Sequence, residues 1–227
     1  MSLILFDIDG TLLLSGGAGV RAMTRAFETV FGVPNAFDGI PVAGHTDTFL
    51  LSQALTRASL PDTADVHVRF RDVYVGILTE EIHRPGSGRR GVMPGVDPLL
   101  AAIAKRRSFH LALLTGNYER AAQIKLSHFG LADFFGWGTF GEESADRNEL
   151  GRIAMGRARE QLVPPEACAR AVVIGDTPHD IACAHAAGAR AVAVATGGYS
   201  LAELEAAGAD VALADLRDTA RVLEVLR

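Results

Sequence analysis

Lysine is nearly missing from this chain. Of its 22 basic residues only Lys105 and Lys125 are lysines, and the rest are arginines scattered along the sequence. With a formal net charge of -5, no clustered cations are available to displace counterions from a polyphosphate, which excludes a nucleic-acid-binding surface. Cysteine is equally scarce. Cys168 and Cys183 are too few for a disulfide framework and show no CxxC or Cys/His metal spacing, so both read as reduced core residues of a cytoplasmic protein. No apolar run reaches the roughly 18 residues of a membrane span, so no membrane partner is expected. Asp7 and Asp9 interrupt the first apolar stretch and no basic residue precedes Arg21, the wrong pattern for a signal peptide. What is present is 48% hydrophobic and 22% charged over 227 residues, enough to bury a core of one to two domains.

Short aliphatic runs at Leu3–Phe6, Phe109–Leu114, Ala171–Ile174, Arg190–Val194 and Val211–Leu213 read as strands, the first buried on both faces because nothing polar interrupts it. Between the later runs lie segments of helical period, such as Glu119–Phe129 and Leu150–Leu162. That alternation predicts an α/β fold, a parallel sheet joined by crossover helices. Residues from about 15 to 90 break the rhythm. They read as helices over Val20–Phe31, Thr46–Ala58 and Asp65–Ile82 with no strand between them. The glycine- and proline-rich stretch from Arg84 to Gly95 reads as a hinge-like linker. The expected division is therefore a core of residues 1–15 and 91–227 with a helical insertion over 16–90.

Ligands of an open parallel sheet bind beyond the carboxyl ends of its strands. The first expected strand ends on Asp7, with Asp9 two residues on; another ends on Thr115-Gly116-Asn117; a third ends on Gly175 and Asp176, with Asp180 four residues later. Carboxylates crowded onto one rim repel one another, and a hard, oxygen-preferring cation such as Mg²⁺ relieves them. Backbone N–H groups near Thr115, ahead of the next helix, offer an anion site. Metal and anion sites on one rim point to phosphate chemistry.

The ordered motifs Asp7-Ile8-Asp9-Gly10-Thr11, Leu114-Thr115-Gly116-Asn117 and Gly175-Asp176-Thr177-Pro178-His179-Asp180 resemble those of the haloacid dehalogenase superfamily, and within it the phosphoglycolate phosphatase-like enzymes. The resemblance implies a Rossmann-like core with an inserted α-helical cap of the C1 type, and a Mg²⁺-dependent phosphatase acting on a small phosphorylated metabolite. It also implies a role for each matching residue. Asp7 is the expected nucleophile and a metal ligand. Asp9 is the expected acid and base, with its backbone carbonyl on the metal. Thr115, Gly116 and Asn117 are expected to hold phosphoryl oxygens, and Asp176 and Asp180 to hold Mg²⁺ directly or through water. The family's lysine between the second and last motifs has no counterpart beyond Lys125; Arg147 stands where it is expected, with Arg152 as the fallback. A sugar-phosphate mutase shares these motifs and is the alternative activity.

Other readings of single motifs compete. Asp176-Thr177-Pro178 also reads as a helix N-cap with proline in the first turn. His45-Thr46-Asp47 either faces the site or caps the helix that follows, and capping is the preferred reading. Gly17-Ala18-Gly19-Val20-Arg21-Ala22, with Asp38 beyond it, matches a loose dinucleotide fingerprint. Pro34 and Asn35, however, stand where that fingerprint needs a strand.

Overall fold

A computed structural model of the chain describes residues 1–86 and 88–227. The first strand, β1 (Ser2–Phe6), is fully buried, sending Leu3 and Leu5 to one face and Ile4 and Phe6 to the other. The chain then turns back on itself, with the amides of Leu12 and Leu13 donating to the Ile8 carbonyl. Next come β2 (Leu13–Ser15), α1 (Ala18–Phe31), α2 (Asp47–Arg57), α3 (Ala64–Glu81) and β3 (Arg90–Val92).

β2 and β3 pair antiparallel, Leu13 opposite Val92 and Ser15 opposite Arg90, so a two-stranded ribbon ties both ends of the helical insertion together. This corrects two expectations. The stretch from Arg84 to Gly95, of which Ser87 lies outside the described residues, contains a strand, and residues 15–90 are not helical alone. Three-residue strands carry too little period-2 pattern to be read locally, and their pairing bridges about 75 residues of chain. Residues 32–41 form no strand, and Asp38 is exposed, so the dinucleotide fingerprint has no structural frame. Gly17 instead precedes α1 in a left-handed conformation at φ 77°.

The rest of the chain alternates helix and strand: α4 (Val96–Ala104), β4 (Phe109–Leu114), α5 (Glu119–His128), β5 (Gly138–Thr139), α6 (Arg147–Glu160), α7 (Pro165–Cys168), β6 (Val172–Gly175), α8 (Pro178–Ala186), β7 (Arg190–Val194), α9 (Leu201–Ala206), β8 (Val211–Leu213) and α10 (Thr219–Val225). The sheet runs β5-β4-β1-β6-β7-β8, and its strand pairings are all parallel. One apolar cluster lies under α4, α5 and α10, the other under α6 to α9, which gives the expected three-layer α/β architecture.

A third cluster joins Phe27 of α1, Leu51 of α2 and Phe70, Tyr74 and Leu78 of α3 to Tyr118 and Ala121 at the start of α5. The helical insertion thus has its own apolar core, seated against the carboxyl end of the sheet. No helix is long and apolar enough to cross a membrane among the described residues, and both cysteines are free.

Candidate active site

β1, β4 and β6 lie side by side in the sheet, so the residues following each strand reach one cavity of about 470 Å³ between the sheet and the helices. Asp7, Asp9, Gly116, Asn117, Arg147 and Asp176 all line it. Gly10 (φ 85°) takes a left-handed turn with its α-carbon against the Asp176 carboxylate, where a Cβ would collide; glycine alone combines that dihedral with that approach.

Asp7, Asp176 and Asp180 are buried, with carboxylate oxygens mutually within 4.8 Å. Arg147, the first residue of α6, enters between them. Its Nη2 donates to Asp7 Oδ1 at 2.8 Å and also to Asp180 Oδ1. Burial works against the guanidinium charge, but Asp180 and Asp7 outweigh it and hold Arg147 firmly protonated. Burial pushes Asp7 above the usual carboxylate range despite the pull of Arg147. Asp176 rises for the same reason, with repulsion from Asp180 and Asp7 added. Arg152 is exposed on the next turn, donating to Glu149, so only Arg147 reaches the carboxylates.

Three carboxylates against one guanidinium leave an excess of buried negative charge, which suits a hard divalent cation. Asp7 Oδ2 and Asp176 Oδ2 accept no hydrogen bond among the described residues, whereas Asp176 Oδ1 accepts from the Thr11 hydroxyl. Asp180 is engaged at both oxygens: Arg147 donates to Oδ1, and the Thr177 amide and hydroxyl donate to Oδ2. Thr177 and Asp180 form a capping box at the start of α8. The N-cap reading and the acidic-site reading therefore hold together, and the free oxygens that fit Mg²⁺ belong to Asp7 and Asp176.

The Asp9 carboxylate stands apart from this triad. The Asp7 and Asp9 side chains line one cavity but engage different partners. Lys125 Nζ donates to Asp9 Oδ2 at 2.6 Å and to Asn117 Oδ1 at 2.6 Å. The Asn117 amide in turn donates to Asp9 Oδ2 at 2.8 Å and to Thr115 Oγ1 at 2.8 Å. Thr115 is fully buried and lies behind the wall, while Gly116 and Asn117 line the cavity. Thr115-Gly116-Asn117 forms the loop before α5, which starts at Glu119. Lys125, 4% exposed, was not among the site residues read from sequence. Its only local signal was its isolation as one of two lysines.

The segment before α2 clasps the loops of the sheet. The Asp47 amide donates to the Gly116 carbonyl at 2.7 Å, the Thr46 hydroxyl to the Ala145 carbonyl, the Thr48 hydroxyl to the Gly141 carbonyl, and Arg147 Nη1 to the Gly44 carbonyl. Gly116 permits this approach, because a Cβ there would strike the His45 carbonyl. Thr46 caps α2 as expected, accepting from the Phe49 amide. Asp47 also reaches the site: its Oδ2 accepts from the Tyr118 amide at 2.9 Å, and burial, partly offset by Lys125, pushes its carboxyl up to about 7. His45 stacks on Phe49 and lies against His179, ring centroids 4.5 Å apart. Burial, His179 and Arg147 lower its pKa and favour the neutral ring.

A family model described as haloacid dehalogenase-like hydrolase matches residues 1–188. The chain belongs to this family. Among curated proteins it is 28% identical over 206 residues to the tyrosine-protein kinase PtkA of Mycobacterium tuberculosis, covering 86% of this chain. It spans 62% of the length of that relative. Among solved structures, a predicted phosphoglycolate phosphatase from Haemophilus somnus superposes with a TM-score of 0.70 at 21% identity, covering 100% of this chain and 98% of the other. CbbY from Rhodobacter sphaeroides, in complex with phosphate, gives 0.68 at 25% identity and 96% coverage of both chains.

Proposed function

We propose that this haloacid dehalogenase-like hydrolase is a Mg²⁺-dependent, cytoplasmic phosphatase that cleaves a small phosphomonoester, of the size of phosphoglycolate, through an aspartyl-phosphate. The observation that carries this reading is Arg147 Nη2 bridging Asp7 and Asp180 beside Asp176, with Asp9 held separately by Lys125. One carboxylate is thus kept close to a fixed positive charge, and a second, differently held, is free for proton transfer.

The Asp7 carboxylate attacks phosphorus, forming a P–O bond while the ester P–O bond breaks. Asp9 delivers a proton to the departing alkoxide. Asp9 then takes a proton from water, whose oxygen attacks phosphorus, releasing inorganic phosphate and restoring the Asp7 carboxylate. Arg147 neutralises negative charge on the phosphoryl oxygens and on Asp7 throughout. Asp7 and Asp176 would hold Mg²⁺, with Asp180 fixed behind them, and the ion would supply charge screening between the phosphoryl group and the carboxylates. Gly116 and Asn117 line the cavity where phosphoryl oxygens need donors. The 44–48 segment, clasped over the loops, excludes bulk water, so the intermediate meets only a positioned water molecule.

The deciding experiment is release of inorganic phosphate from a panel of small esters with Mg²⁺ and with EDTA. Release that requires Mg²⁺ and vanishes in Asp7→Asn is the expected outcome. Metal-independent release, or release retained in that variant, would refute the reading.

A further inference from the structure

Beside the catalytic rim, the cavity wall carries apolar side chains. Leu14 of β2, Val20 and Met23 of α1, Val42, Leu50 of α2 and the ring of Tyr74 of α3 line it. Met23, Leu50 and Tyr74 are buried, while Val20 and Val42 are 41% and 38% exposed. Two segments far apart in sequence therefore each leave a bare aliphatic side chain on the same cavity, which a solvated surface position does not require.

The basic side chains Lys125 and Arg89, which also line the cavity, already donate within the chain. Lys125 is held by Asp9 and Asn117 at 2.6 Å each, which commits two of its three N–H donors. Arg89 sits exposed at the rim with its guanidinium donating to the Thr196 carbonyl at 3.3 Å. Asp47 is bound to the Tyr118 amide. A polyol or hydroxy-acid leaving group would bury hydroxyls or a carboxylate against aliphatic carbon, whereas an apolar one would bury carbon on carbon.

We propose that the substrate is the phosphate ester of an uncharged, apolar alcohol, alkyl or aryl, rather than of a polyol or a hydroxy acid. This rests on the phosphatase reading above and names the leaving group that its cavity accepts. Specificity then comes from Val20, Met23, Val42 and Leu50 acting together on the departing alcohol.

The test measures kcat/KM of the full chain with Mg²⁺ on 3-methylbutyl phosphate and benzyl phosphate against phosphoglycolate, glycerol 3-phosphate and a hexose phosphate. p-Nitrophenyl phosphate serves as a reactive ester that reports a working core. The expected result is a preference of at least about tenfold for the two apolar esters. Equal or better turnover of phosphoglycolate or a sugar phosphate would overturn the proposal, and so would cleavage of p-nitrophenyl phosphate alone. Silence toward every ester, p-nitrophenyl phosphate included, would remove the phosphatase reading and this proposal with it. Val20→Arg, at a half-exposed helical position that tolerates a long side chain, should lower the ratio of benzyl phosphate to phosphoglycolate turnover by about tenfold. An unchanged ratio would refute the assignment of that wall.

Discussion

Lys125 Nζ lies 2.6 Å from Asp9 Oδ2, although 116 residues separate them. The contact exists because α5 packs over the carboxyl end of β1 and β4, with Ala122 and Leu126 in the same apolar cluster as Phe6 and Leu113. Lys125 shares its other short contact with Asn117, so one ammonium orders both the proposed proton-transfer residue and the loop that faces the phosphoryl group.

Removing that ammonium should disorder Asp9 without touching Asp7. Lys125→Met, which keeps the aliphatic stem, is expected to lower kcat by about 100-fold, at the lower end of what positioned proton transfer contributes. Stopped-flow detection of the phosphoenzyme should show it still forming with p-nitrophenyl phosphate, whose leaving group needs little protonation. Wild-type kcat in the variant would exclude any role for Lys125 in positioning Asp9.

Arg147 should matter for stability as well as turnover. Its side chain and those of Asp7 and Asp180 are each no more than 8% exposed, and breaking a buried pair by removing one partner costs about 3–5 kcal/mol. Arg147→Ala in EDTA should therefore melt well below wild type. Mg²⁺ should recover more of the loss in the variant than it adds to wild type, because a second cation then answers the same carboxylates. Equal Mg²⁺ shifts in melting temperature for both proteins would show that guanidinium and ion do not answer the same carboxylates.

The legible and illegible parts of this molecule divide by the range of the interactions involved. β1, β4, β6, β7 and β8 were readable because strands covered on both faces are uninterrupted apolar runs. Asp7 and Asp176 were readable because each follows such a run, whereas Arg147 was pointed to by the resemblance alone. Lys125 carries no comparable sign: between Ile124 and Leu126 in the last turn of α5, it looks like a cation answering the helix dipole. β2 and β3 were missed because pairing between the two ends of an insertion leaves no local pattern. Asp47 was read as capping chemistry, and its burial against Tyr118 depends on how α2 docks onto the sheet loops.

Asp7→Asn separates chemistry from folding. An amide cannot form the phosphoenzyme, so turnover should fall below about a thousandth of wild type. The same change removes one of three crowded buried carboxylates, so the melting temperature in EDTA should be equal to or above that of wild type. A drop in both quantities would show that Asp7 is needed to build the site, leaving its role as nucleophile unsupported.

Asp47 gives the fold a pH dependence whose sign can be worked out. Its carboxyl is pushed up to about 7 in the folded chain, chiefly by burial, against an unfolded value of about 3.9. Between those values the folded state holds a proton that the unfolded state has released, so Asp47 erodes stability as pH rises from about 4 to about 7, and the full penalty stands above that. An asparagine side chain at this position would be neutral at every pH, and its oxygen could still accept from the Tyr118 amide. Asp47→Asn should accordingly gain melting temperature over wild type as pH is raised from 5 to 8, by several degrees for a chain of this size. A flat or falling difference across that interval would mean that Asp47 is ionised in the folded protein throughout, with Lys125 offsetting the cost of burial.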